Sequence, residues 1–124
     1  MSAPISPRAF DIRDTPLGRA DRVTMHAPGI HFVSTPSHGG FHLDEEHNAK
    51  VPEAWRKLSW NGRGVGGWYE EDCDWAMVAL TFPDLFDAGD LVNAVRTFDN
   101  FTRPKLLKAG VHVGQILPDC AAAV

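Results

Sequence analysis

Four of the six histidines fall within seventeen residues, at His31, His38, His42 and His47, with Asp44, Glu45 and Glu46 among them. Neutral imidazoles and carboxylates are ordinary ligands of zinc and related divalent ions, so this density defines one candidate chemistry, a small metal-dependent hydrolase. The spacing opposes it. His38 falls in a turn, His42 on a strand and His47 on the helical turn that follows, so no pair shares one helical face as in a zincin. The simpler expectation is solvated or hydrogen-bonded histidines on the polar face of a hairpin, with no bound metal and no cofactor.

Nucleophilic chemistry fares no better. Ser37 and His38 place a hydroxyl beside an imidazole, but neighbours on an extended segment point apart, and a nucleophile needs its base within hydrogen-bond reach. Cys73 lies among Glu71, Asp72 and Asp74, whose charge raises a thiol pKa and blunts the thiolate, so it is expected to be a core cysteine on a buried helix. Gly62-Arg63-Gly64-Val65-Gly66-Gly67 formally matches Gly-x-Gly-x-x-Gly. No strand precedes it, and the acids that follow repel a phosphate, so it reads as a flexible connector. No catalytic residue is expected.

The acids themselves are the remaining constellation. Between Gly64 and Val95 stand seven of them, Glu70, Glu71, Asp72, Asp74, Asp84, Asp87 and Asp90, with no Lys or Arg. From Arg96 to Lys108 the sign reverses, with Arg96, Arg103, Lys105 and Lys108 against Asp99. Acids at helix starts match the macrodipole and aid solubility. They also suit a surface that meets a basic protein partner, such as a lysine- and arginine-lined nucleic-acid channel.

The elements that must position these residues follow from turn chemistry. Thr15-Pro16-Leu17-Gly18, Ala27-Pro28-Gly29-Ile30 and Thr35-Pro36-Ser37-His38-Gly39-Gly40 are turns, the second with Pro then Gly at its centre as type II requires. Between them lie Phe10–Asp14, Arg19–His26, Ile30–Ser34 and Phe41–Asp44, long enough for strands and too short for stable helices. Ile30, Phe32 and Ser34 share one face, His31 and Val33 the other, so one face can be buried and one polar.

Asp44 before Glu45 and Glu46 is a helix N-cap, and Pro52 opens a second helix running to about Leu58. Glu70 to Phe82 reads as a buried helix, ended by Pro83, with Trp75, Val78, Ala79 and Phe82 on one stripe. Asp87 or Asp90 caps the next, whose stripe is Leu91, Val95, Phe98 and Phe101. A further apolar patch, Val111 to Leu117, has no assignable type. The fold class expected is α+β: an antiparallel meander of about four strands followed by two to four helices, a single domain over 1–124 with loose termini at 1–9 and 120–124.

A length of 124 residues with 44% hydrophobic and 23% charged residues is that of an ordinary globular domain. A net charge of −4 disfavours direct binding to nucleic acid. No apolar run of membrane-spanning length occurs, Pro4 and Pro7 interrupt any leader-like stretch, and Cys73 and Cys120 lack a Cys-x-x-Cys partner. The expectation is a cytoplasmic protein with free thiols and no membrane contact.

The segments His31-Phe32-Val33-Ser34-Thr35-Pro36-Ser37-His38-Gly39-Gly40-Phe41-His42-Leu43 and Gly67-Trp68-Tyr69-Glu70-Glu71-Asp72-Cys73-Asp74-Trp75-Ala76 resemble an uncharacterised domain of bacterial phage and plasmid proteins. The likeness runs from about Thr15 to Phe86. It implies a genomic setting rather than a mechanism: small proteins of such elements often share the purpose of neutralising host defences such as CRISPR complexes or restriction enzymes. Backbone needs explain Gly39 and Gly40 but not His38, Trp68 or Tyr69. The expected partner-binding set is therefore Ser37, His38, Trp68, Tyr69, Glu70, Glu71, Asp72 and Asp74, forming one patch where the meander turn adjoins the acidic helix start.

Overall fold

The computed structural model describes residues 14–60 and 66–111. It begins with a small hairpin, β1 (Asp14–Thr15) and β2 (Gly18–Arg19), turned by Pro16 and Leu17. A four-stranded antiparallel sheet follows, with β3 (Arg22–Ala27), β4 (Ile30–Ser34), β5 (Gly39–Leu43) and β6 (Trp68–Glu70) in spatial order 3-4-5-6. The helices are α1 (Glu45–Asn48), α2 (Glu53–Leu58), α3 (Trp75–Thr81), α4 (Ala88–Thr97) and α5 (Arg103–Lys108). This is the α+β class, and its punctuation is as the turn residues dictate. Gly29 has φ +89°, the value a type II turn asks of its third residue.

Two strand expectations need correction. Arg19–His26 is broken at Ala20-Asp21, where the chain leaves the small hairpin for the main sheet. The sheet's fourth strand is Trp68–Glu70, not a segment of the N-terminal run, and the helix expected from Glu70 begins only at Trp75. The physical reason lies in Glu70. Its carboxylate accepts the backbone N–H groups of Asp72 (2.9 Å), Cys73 (2.7 Å) and Asp74 (3.2 Å), so it caps the chain ahead of α3 from the end of a strand. The remainder of the first expected strand, the glycine loop at 62–65 and the patch from 112 onward lie outside the described residues.

Cross-strand register sorts side chains into rows. Thr24, Phe32, Phe41 and Tyr69 form one row; Met25, His31, His42 and Trp68 form the next, on the opposite face. The first face meets the helices: Ile30, Phe41, Leu43 and Tyr69 pack in one core with Val51, Trp55, Ala76–Leu80, Ala94, Phe98 and Leu106. Within it Trp55 of α2 packs against Phe98, with ring centroids 4.8 Å apart. The opposite face is not simply polar, since Val33 and His31 are both buried. Leu17 of the small hairpin lies against Gly40, where an added Cβ would come within 2.9 Å of it.

Caps set the helix starts as expected. Asp44 accepts the N–H of His47 (2.9 Å) and Asp87 that of Asp90 (2.7 Å). Beyond Thr97 the helix widens into one π segment, Phe98–Thr102, and runs on into α5. Pro104, which has no N–H to donate, is accommodated in the first turn after that widening. The widening keeps Ala94, Phe98, Thr102 and Leu106 on the buried line. Phe101, expected on the apolar stripe, is instead 50% exposed.

The core makes two stability predictions measurable by urea unfolding. Trp55→Ala is expected to destabilise by about 3–5 kcal/mol, because it removes a fully buried ring and leaves a cavity. Tyr69→Phe is expected to cost about 1–3 kcal/mol, because the phenol donates to the Asn48 side-chain oxygen and its loss leaves a polar atom unmatched.

Candidate interaction surface

The two motif segments meet through one strand pairing. Gly40, Phe41 and His42 of β5 stand opposite Glu70, Tyr69 and Trp68 of β6, and the ladder continues with the Glu71 N–H donating to the Gly39 carbonyl at 3.0 Å. The Thr35–His38 turn and the acidic segment therefore adjoin. The turn is held closed by Thr35, whose N–H and Oγ1 donate to the His38 carbonyl (2.7 and 2.9 Å) while its Oγ1 accepts the His38 N–H (3.0 Å). These bonds bury Thr35 and leave Ser37 and His38 exposed at the tip.

Within this juxtaposition the expected residues divide by burial. Ser37, His38, Glu71 and Asp72 are exposed and contiguous, with the Glu71 carboxylate folded over Gly39, where an added Cβ would lie 2.7 Å from it. Trp68 (7% exposed), Tyr69 (0%) and Asp74 (8%) are buried and cannot offer themselves to a partner. Trp68 packs against His42, with centroids 4.8 Å apart. Asp74 accepts the Trp60 N–H at 2.8 Å, and burial raises its pKa against that bond. Glu70 is half-buried and committed to backbone amides. Three of the eight thus build the patch from beneath, a fourth caps it, and four present it. Lys105 is close enough to act on Asp74 and Cys73, and so tempers the negative field from the α5 side.

Cys73 sits in the turn before α3 rather than on a buried helix, and is half-buried. Burial, then the charge of Glu70, pushes its thiol pKa up, so it is a weak nucleophile.

The histidines separate into two groups. His31 and His42 are cross-strand partners on one face, whereas His47 lies on α1 with its ring paired to the Asp44 carboxylate at 2.7 Å. His38 stands at the far end of β5, roughly 13 Å along the strand from His42. Among the described residues no group of three or more His, Cys, Asp or Glu side chains is placed to hold a metal ion. His26, which the sequence left unremarked, lies at the β3 bulge with its ring 5.2 Å from Phe41 and 5.9 Å from Phe86.

The fold and surface define a small α+β domain that carries a turn-plus-acid patch on the β5–β6 end of a four-stranded sheet. A family model described as a domain of unknown function, DUF7007, matches residues 11–109, and the chain belongs to that family. No curated protein and no solved structure matches it. Among the described residues no helix is long and apolar enough to cross a membrane.

The paired imidazoles predict a pH dependence of stability. Burial, and then the neighbouring His31, lower the His42 pKa to about 4, and burial also lowers that of His31 despite the Asp44 carboxylate. The folded state thus binds fewer protons than the unfolded chain, whose histidines titrate near the ordinary 6.5. Stability is expected to fall as pH drops from about 6.5 toward 4. Asp74 acts with the opposite sign, because its raised pKa makes protonation in the fold favourable. Urea midpoints measured from pH 7 to 4 check this, and His42→Gln should flatten the profile.

Proposed function

We propose that the protein is a non-enzymatic, protein-binding accessory factor of a mobile genetic element, acting in the cytoplasm as a counter-defence inhibitor of the anti-CRISPR or antirestriction kind. It occupies a basic, nucleic-acid-handling surface on its partner and makes no direct contact with nucleic acid itself. The reading is carried by the β5–β6 pairing, which sets exposed Ser37 and His38 beside exposed Glu71 and Asp72. Two carboxylates flanked by a hydroxyl and an imidazole offer acceptors for arginine and lysine on a partner, and the rigid strands beneath them lower the ordering cost of binding. The resemblance of both motif segments to phage and plasmid proteins supplies the setting.

The surface is tested by reversing only the charges that reach solvent. Glu71→Lys with Asp72→Lys should change folding stability by no more than about 0.5 kcal/mol each. Capture from a bacterial lysate identifies the partner, and affinities of wild type and double variant are then compared at low and high salt. The expected result is a drop of at least about tenfold at low salt that shrinks at high salt, because the lost attraction between exposed charges is screened. Equal affinities under both conditions would remove the acidic patch from the interface.

A further inference from the structure

The sheet has a second surface that this reading does not use. The outer edge of β3 pairs with no strand among the described residues. Its sequence is Arg22-Val23-Thr24-Met25-His26-Ala27, largely exposed, and Met25 at 57% is the most exposed large hydrophobic side chain among the described residues. Edge strands of monomeric proteins are ordinarily blunted by a central charge, a proline or a bulge. Here the charge, Arg22, stands at one end and the bulge, between Met25 and Ala27, at the other. The stretch between them, Val23-Thr24-Met25, is regular and uncharged.

Hydrogen-bond alternation fixes which groups point outward. The Thr35 N–H donates to the His38 carbonyl, so Thr35 and His38 form a bonded pair beyond Ser34 and Gly39. In an antiparallel ladder bonded and non-bonded pairs alternate, so Val33 with Gly40 and His31 with His42 are bonded, and the backbone groups of Phe32 face β3. Thr24, opposite Phe32, therefore faces β4, and the N–H and C=O groups of Val23 and Met25 face away from the sheet.

We propose that this edge pairs antiparallel with the same edge of a second copy of the chain, about a two-fold axis perpendicular to the sheet at Thr24. In that register Val23 of each copy exchanges both backbone bonds with Met25 of the other, and the exposed Met25 side chain is covered by Val23. Thr24 meets Thr24, a pair compatible with a strand surface. A second copy brings this complementarity without further selection of partner sequence, since an isologous contact presents the same patch twice. The two sheets become one of eight strands, and the acidic patches lie at its distant ends, beyond β6.

The contact is short, so the dimer is expected to be weak, populated at about 100 μM and above and dissociating on dilution. Light scattering and sedimentation of the full chain measure this. Thr24→Lys and Thr24→Glu each place like charges face to face at the axis and should be monomeric with unchanged circular dichroism. Their equimolar mixture should restore the dimer, because unlike charges then face each other. A wild type that stays monomeric up to about 1 mM overturns the proposal. So does a wild-type dimer that both variants leave intact, or one that the mixture fails to rebuild, since neither outcome fits a two-fold axis at Thr24.

Discussion

The pairing of β5 with β6 is the constraint on which the rest depends. It joins two segments 25 or more residues apart in the chain, holds Tyr69 in the core and fixes the acidic turn beside the Thr35–His38 turn. The pairing requires close approach at two glycines. A Cβ at Gly40 would come within 2.8 Å of the Tyr69 carbonyl oxygen, and one at Gly67, where φ is +87°, within 2.5 Å of the Leu43 carbonyl oxygen. The glycines flanking β6 are therefore requirements of sheet closure, and only secondarily of loop flexibility.

This constraint explains why the acids divide as they do. Glu70 ends a strand whose chain must turn at once into α3, and turning leaves three amides with no ladder partner. A carboxylate satisfies them more strongly than a neutral acceptor would. Asp74, one turn later, performs the same service for Trp60, across fourteen residues of sequence. Glu71 and Asp72 have no such duty. An acidic run that looks uniform in sequence thus contains two structural members and two that face solvent, and only the latter can act on a partner.

What could be read from the residues was what is locally encoded. The type II turn at Pro28-Gly29, the caps at Asp44 and Asp87, the stop at Pro83 and the α+β class all follow from short-range chemistry, and the structure carries each. What could not be read depends on distant segments. Trp68 and Tyr69 have the β-propensity of strand residues, yet three residues beside four acids form too short a signal to outweigh a helix start. Their burial depends on β5 being available as a neighbour. The same holds for His31, assigned to a polar face by alternation but buried in the sheet. The adjacency of the two motif segments was legible only as a condition, and the register of β5 with β6 meets it.

The same long-range closure bears on how the two proposed surfaces relate. β5 and β6 lie at one end of the strand order and β3 at the other, with β4 between β3 and β5. Contacts made at β3 reach the acidic patch only through the sheet, whose central strands are fixed by the buried Phe41 and Tyr69, the partly buried Phe32 beside them, and the ladder itself. A packed sheet of this kind transmits position, not a change of state, because no second arrangement of these rows keeps the apolar set on the core side. Self-association at β3 would accordingly leave the chemistry of the patch intact and double its number. Two patches held on one rigid sheet engage a two-site partner with an effective concentration set by their fixed separation, so weak self-pairing would strengthen binding without any new contact at Glu71 or Asp72.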